Sequence, residues 1–219
     1  MLNTRKEHPI SGAIALEKIL DVRGIHIPHN RIHRILKEEG LARDEPHKQR
    51  RRKWIRYERR YSNSLWHADW FKEREDQIIL LEDDASRFIT GYGVFGNATA
   101  KNSMLVLERA VESYGTPRQL MTDHGIQFTS LPRETCADPR PNEFQRILQS
   151  YGIKHIKARV KHPQSNGKVE RAIQTMQNLR KYFPNWDTAV YYYNFKRPHS
   201  TWKMGVLGHL TRRFLIKQE

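Results

Sequence analysis

The chain is poor in the features that build secreted scaffolds and membrane spans. Cys136 is the only cysteine among 219 residues, which excludes an intramolecular disulfide and a thiolate zinc cluster and fits a reducing, intracellular setting. The longest apolar runs, such as Ile78 to Leu81, fall far short of the roughly 20 residues of a membrane helix. Met1 is not followed by a charged, then apolar, then small-residue leader. The expectation is a cytoplasmic, nucleoid-associated protein with no membrane partner. Internal repeats and low-complexity segments are missing too. Acid is also scarce: 24 Asp and Glu stand against 39 Lys and Arg, a formal charge of +15. Solubility alone does not require such an excess. It points to a polyanionic partner, with nucleic acid ahead of a membrane surface because no Trp-anchored, strongly amphipathic basic helix stands out.

Within this basic chain, residues 10 to 39 contain two helical patterns. Ala13, Leu16, Ile19 and Leu20 mark the first, and Ile32, Ile35 and Leu36 the second; Gly24 separates them, and Pro28 suits the first turn of the second helix. The second helix interleaves its apolar stripe with His29, Arg31, His33, Arg34 and Lys37. The pair reads either as a helix-turn-helix piece presenting a basic helix to DNA or as an ordinary amphipathic hairpin with solvated charges. Between Lys48 and Arg60, eight of thirteen residues are Lys or Arg, among them Arg50, Arg51, Arg52, Lys53 and Arg56. That density repels itself unless phosphate is present, so the stretch is expected to be a DNA-binding arm or linker. Trp54 is expected to dock it on the next domain.

From Ser64 the pattern changes. "SLWHADWF", "QIILLEDD" and "RFITGYGVF" are β-branched and aromatic runs separated by turn residues, and predict an antiparallel meander. A helix over Thr99 to Tyr114, a strand at "TPRQLMTD", a helix over Glu143 to Tyr151, a strand at "IKHIKA" and a long helix from about Ser165 to Tyr182 follow. Three strands, helix, strand, helix, strand, helix is a mixed α/β order.

Three acids occupy unusual places in it. Asp69 lies mid-strand between Ala68 and Trp70, Asp123 closes the fourth strand before a Gly-bearing turn, and Glu170 sits in the first turns of the late helix. Each has a plainer role available: backbone hydrogen bonding for Asp69, turn capping for Asp123, and the helix dipole for Glu170. Together they admit convergence at the carboxyl edge of a sheet, where three hard oxygen ligands suit Mg2+ or Mn2+. A pair of such ions across a phosphodiester activates a water or a 3′-hydroxyl and stabilises the leaving oxygen. Lys168 and Arg171 flank Glu170 and are expected to hold phosphates. Gln174 and Gln177 follow at i+4 and i+7 on the same stripe, meeting DNA or merely solvent, beside an apolar stripe of Val169, Ile173 and Met176.

The order "WHADWF", "EDDASRFITGYGVF", "LMTDHGIQFTS", "ARVKHPQSNGKVERAIQTMQ" and "YYYNFKRPH" resembles the integrase core of DDE transposases. It is nearest to insertion-sequence transposases of the IS481 and IS3 kind, which are related to retroviral integrases. The similarity runs from about Ser64 to His199. It implies an RNase H-like mixed sheet with flanking helices, preceded by a small helix-turn-helix-like segment. The implied divisions are a DNA-binding segment over 1–45, a basic linker over 46–63, the catalytic core over 64–200 and a tail over 201–219. It further implies a triad of Asp69, Asp123 and Glu170 holding two ions of Mg2+ or Mn2+, and cleavage and strand transfer on DNA. The DNA partners would be element terminal repeats and target DNA, bound by a homo-oligomer of at least two copies. Asp83 and Asp84, which also end a strand, rank below the triad because in the family that pair is usually structural.

Four departures stand out. His124 replaces the usual Asn after the second acid. Asp123 and Glu170 are separated by 46 residues, more than is common, with the insertion expected near Pro139. Arg197, Pro198 and His199 lack the Thr-Pro that usually follows them, and Met1 lies close to the helical hairpin, as if an upstream helix were missing. The last two keep open a catalytically silent remnant that only binds DNA. A nuclease that hydrolyses without joining is the other alternative.

Overall fold

The computed structural model describes residues 1–42, 58–130, 141–158, 167–197 and 214–215. The arm residues Arg50, Arg51, Arg52, Lys53, Arg56 and Trp54 lie outside them, as does the Pro-rich insertion over 131–140. The chain divides into two compact units, Met1–Tyr57 with Asn178–Arg212, and Glu58–Gln177 with Arg213–Glu219.

In the first unit, α1 (Leu2–Glu7), α2 (Ala13–Val22) and α3 (His29–Glu38) precede the basic arm. The expected apolar stripes meet: Leu16, Ile19 and Leu20 of α2 bury completely or nearly so against Ile32 and Leu36 of α3. Each such side chain contributes roughly 1.5–3 kcal/mol through burial. Gly24 ends α2 with φ +75°, a left-handed conformation that a side chain would disfavour. Pro28 sits one position earlier than expected, as the N-cap of α3 with extended backbone, so its missing N–H costs nothing there. α1 carries no apolar period and was not predicted; among its residues only Thr4 is buried. The same unit holds α7 (Trp186–Tyr191), which widens into a π-helical turn over Tyr192–Lys196.

The second unit is a five-stranded sheet in the order β3-β2-β1-β4-β5. β1 (Trp66–Glu73), β2 (Asp76–Asp83) and β3 (Ile89–Phe95) form the predicted antiparallel meander, while β4 (Gln119–Thr122) and β5 (Lys154–Lys157) run parallel to β1. β3, β4 and β5 are shorter than their sequence patterns, whereas β1 and β2 keep eight residues and shift along the chain. β1, for example, begins at Trp66 rather than Ser64, after Asn63 turns the chain with φ +59°. α4 (Ala100–Tyr114) is capped by the Thr99 hydroxyl, which accepts the Asn102 N–H. α5 (Glu143–Ser150) opens on a reciprocal capping box between Asn142 and Gln145.

Alternation along β1 and β2 assigns the faces. Trp66, Ala68, Ile79 and Leu81 join Val106, Leu107, Leu120, Phe144 and Leu148 in one core under α4 and α5. His67, Asp69, Leu80 and Glu82 stand on the opposite face, paired across the ladder as His67 with Glu82 and Asp69 with Leu80. α6 (Gly167–Leu179) contributes Val169, Ala172, Ile173 and Met176 as its buried stripe. Among the described residues no helix is long and apolar enough to cross a membrane.

Candidate active site

Asp69 is half-buried in the middle of β1, held on the face opposite the α4 and α5 core by the alternation of Trp66, Ala68 and Trp70. β4 fixes the second acid. It pairs with β1 in parallel register, Trp66 opposite Leu120 and His67 opposite Met121. Two residues further along the same register bring Asp69 level with Asp123, which directly follows Thr122 at the end of β4. Leu120 belongs to the α4 and α5 core, so odd-numbered Asp123 leaves β4 toward the face that Asp69 occupies.

A sharp turn then carries the chain away. The Gly125 N–H donates to Asp123 Oδ1 at 3.0 Å, and the Phe128 and Thr129 N–H groups return to the Gly125 carbonyl. Thr122 Oγ1 donates to the Asp123 carbonyl at 2.8 Å and also meets His155 Nε2 at 2.9 Å. His124 shapes this turn: its Nε2 donates to the Ala158 carbonyl at 2.8 Å, tying the turn to the end of β5.

Glu170 is exposed in the first turn of α6. Its neighbours differ. Arg171 and Gln174 are exposed and Gln177 is half-buried, but Lys168 turns inward, its Nζ donating to Asp84 Oδ1 at 2.5 Å. Asp84 Oδ1 also accepts from His67 Nε2 at 2.7 Å, and Asp84 Oδ2 accepts from the Arg59 N–H at 2.7 Å. Burial works to raise the Asp84 carboxyl, but the hydrogen bonds from His67, Lys168 and the Arg59 N–H outweigh it and hold the group well below the usual carboxylate range. Burial pushes His67 down, which keeps the imidazole neutral with its proton on Nε2 toward Asp84. Burial likewise lowers Lys168, with Arg87 adding to the effect. Asp83 spends its carboxylate on the Ser86 hydroxyl and on the Ser86 and Asn63 N–H groups. Glu82, fully buried beside them, is pushed up to about 8 by burial.

His67 escaped the sequence reading, and so did the bond between Lys168 and Asp84. The alternation of β1 puts His67 on the Asp69 face, yet nothing local marks its partner Asp84, 17 residues on, or pairs Asp84 with Lys168, a further 84 residues along the chain.

The carboxylates of Asp69, on β1, and Asp123, just beyond the end of β4, are hard oxygen donors of the kind that suits Mg2+ or Mn2+. Among the described residues, no group of three or more His, Cys, Asp or Glu side chains is gathered so as to take an ion. In the helical unit, His29, Arg31, Arg34 and Lys37 lie exposed along α3 and His33 is half-buried. His29 bonds Glu17 through both its N–H and its ring, and Arg34 lies 3.9 Å from Glu38.

Residues 59–163 match a family model described as the integrase core domain, a match that ends before Glu170. The chain is 27% identical over 152 residues to the transposase of transposon Tn552 from Staphylococcus aureus, covering 58% of this chain and 29% of that protein. It is 24% identical over 205 residues to a 31.7 kDa protein of insertion element IS407 from Burkholderia multivorans, covering 84% and 69%. The chain thus spans less than a third of the Tn552 transposase. In structure it is similar to the catalytic core domain of HTLV-2 integrase in complex with magnesium, with TM-score 0.54, 20% identity and coverage of 70% of this chain and 97% of that one. It is also similar to a chain of a simian T-cell lymphotropic virus intasome, with TM-score 0.61, 19% identity and coverage of 95% and 72%. These likenesses establish the RNase H-like fold.

Proposed function

We propose that the chain, whose residues 59–163 match the integrase core domain model, is a DDE-type polynucleotidyl transferase that cuts DNA at element ends and joins the freed 3′-hydroxyl to target DNA. The observation that supports this reading is the parallel register of β1 and β4, Trp66 opposite Leu120 and His67 opposite Met121, which lie two residues before Asp69 and Asp123. Asp69, Asp123 and Glu170 would hold two divalent cations, Mg2+ or Mn2+, which when bound supply an activated oxygen nucleophile and stabilise the leaving oxygen. Asp69 is carried by β1, and Asp123 is held in its turn by the Gly125 N–H. Glu170, exposed on α6, has to close on that pair. Arg171, together with α3 and the basic arm, would bind phosphate and so position the strand.

The domain plan that goes with this reading is a DNA-binding segment over 1–45, a linker over 46–63, a catalytic core over 64–200 and a tail over 201–219. Joining two element ends calls for at least two copies on DNA, in the cytoplasm at the nucleoid. Purified protein with Mn2+, labelled terminal-repeat DNA and a target plasmid tests it: nicked ends and joined products are expected. Nicks without joined products would indicate a hydrolytic nuclease.

A second reading, a DNA-binding protein without catalysis, draws support from the formal charge of +15 and from Glu170, which stands exposed on α6. Salt-sensitive DNA binding without any Mn2+-dependent nicking would establish it.

A further inference from the structure

Three consecutive tyrosines span the join between α7 and its π turn, and the fold uses two of them internally. Tyr192 is buried, its ring 4.9 Å from that of Phe183 and its hydroxyl 2.9 Å from His8 Nδ1. Tyr193 is buried with the Arg197 guanidinium 5.3 Å over its ring. Tyr191 differs. It is 54% exposed, and its ring lies 5.0 Å from that of half-buried Phe195, with 26° between the two planes. A single exposed apolar side chain is ordinary. Two rings stacked at i and i+4 are another matter, because they offer a flat face whose orientation is already set before anything binds. The backbone beneath is unusual as well: the Arg197 N–H closes on the Tyr192 carbonyl at 2.8 Å, an i→i+5 bond of a kind that is rare and recurs at functional sites.

The charge around this face is basic. Residues 178–197 hold Arg180, Lys181, Lys196 and Arg197 against one acid, Asp187. Lys196 is exposed next to Phe195. Arg5 of α1 reaches the same side, since with Arg197 it works against the rise that burial gives the Tyr192 phenol. Asp187, four residues before Tyr191, disfavours phosphate at the opposite end of the stripe. A flat aromatic face with cations at one end complements a strand whose bases are unpaired: the base stacks and the phosphate meets the ammonium. A duplex keeps its bases stacked on each other and presents mainly phosphate.

We propose that Tyr191 and Phe195 form a stacking site for an unpaired base of single-stranded DNA, with Lys196 taking an adjacent phosphate. The site belongs to the other compact unit from Asp69 and Asp123 and needs no metal. Only the choice of DNA over RNA rests on the function proposed above.

The test is fluorescence anisotropy with the full chain in EDTA, using labelled oligothymidine and, at the same length, an abasic strand, a duplex and oligouridine. Tyr191→Leu, which keeps an apolar side chain and loses the ring, is expected to weaken oligothymidine binding about 5- to 150-fold and to leave the abasic strand and the duplex at wild-type affinity. Tyr191→Phe should bind like wild type. Lys196→Gln should lower the salt slope for oligothymidine by about 0.7. Oligothymidine affinity unchanged in Tyr191→Leu, or a loss shared equally by the abasic strand and the duplex, would overturn the site. Self-association that Tyr191→Leu abolishes in sedimentation, with oligothymidine binding unchanged, would make the face a contact between copies and overturn it too. Tighter binding of oligouridine than of oligothymidine would reject DNA as the ligand. Nicking enters none of these measurements, so failure of the triad leaves the stacking site standing, and failure of the stacking site leaves the triad.

Discussion

The two faces of β1 make different use of the same eight residues. Trp66 and Ala68 bury into a mainly apolar layer with Leu81, Leu107 and Leu120, while His67 and Asp69 look onto a face that mixes buried Leu80 with Glu82, Asp84 and Lys168. Apolar burial repays its own ordering cost and needs no partner atoms. Buried charge is stable only where each group has a specific counterpart, so the polar face must be built by long-range bonds. The apolar face therefore determines whether the chain folds, and the polar face what it can do.

Substitutions on each face should separate these roles. The largest effect is expected at the acids: Asp69→Asn and Asp123→Asn should lower Mn2+-dependent nicking by at least about a hundredfold with little change in melting temperature. Combining them should cost scarcely more than either alone. Equal loss of stability and activity would dissolve the contrast between the faces.

On the apolar side, Leu81→Ala or Leu120→Ala should cost about 2–5 kcal/mol in denaturant unfolding. The surviving folded protein should keep its nicking rate. Glu82 gives the polar face a signature in pH. Its carboxyl holds a proton more tightly in the folded chain, up to about 8, than in the unfolded chain. The stability this provides is complete below the ordinary glutamate range and is lost as pH rises toward 8. Unfolding followed from pH 5 to 8 should show that decline, on the order of 3 kcal/mol, and Glu82→Gln should flatten it.

A smaller effect is expected where α4 packs on the sheet. A Cβ at Gly93 would lie 2.6 Å from Val106 Cγ2 and 2.5 Å from Phe95 Cε2, so Gly93→Ala should destabilise by about 1–3 kcal/mol, seen as a lower melting temperature.

The apolar face was legible in the sequence and much of the polar face was not. Period-two alternation in "SLWHADWF" and "QIILLEDD" is a local signal, and so is the Thr99 cap of α4. Asp69 and Asp123 could be picked out because an acid in a strand, or closing one before a tight turn, breaks a local pattern. Their common level could not, since it depends on the parallel pairing of segments whose contact has no sequence signature. Lys168 shows the limit most clearly: beside Glu170 in a basic stretch it reads as a phosphate ligand, and only the fold brings it to Asp84. α1 went unseen because its six residues carry no apolar period.

The central claim is that Asp69, Asp123 and Glu170 share divalent cations. Anomalous diffraction from crystals of the full chain grown with Mn2+ and a terminal-repeat duplex measures that directly. The account predicts manganese peaks with carboxylate oxygens of all three acids within about 2.5 Å. Manganese bound elsewhere, or bound to Asp69 and Asp123 with Glu170 still turned to solvent, would contradict it.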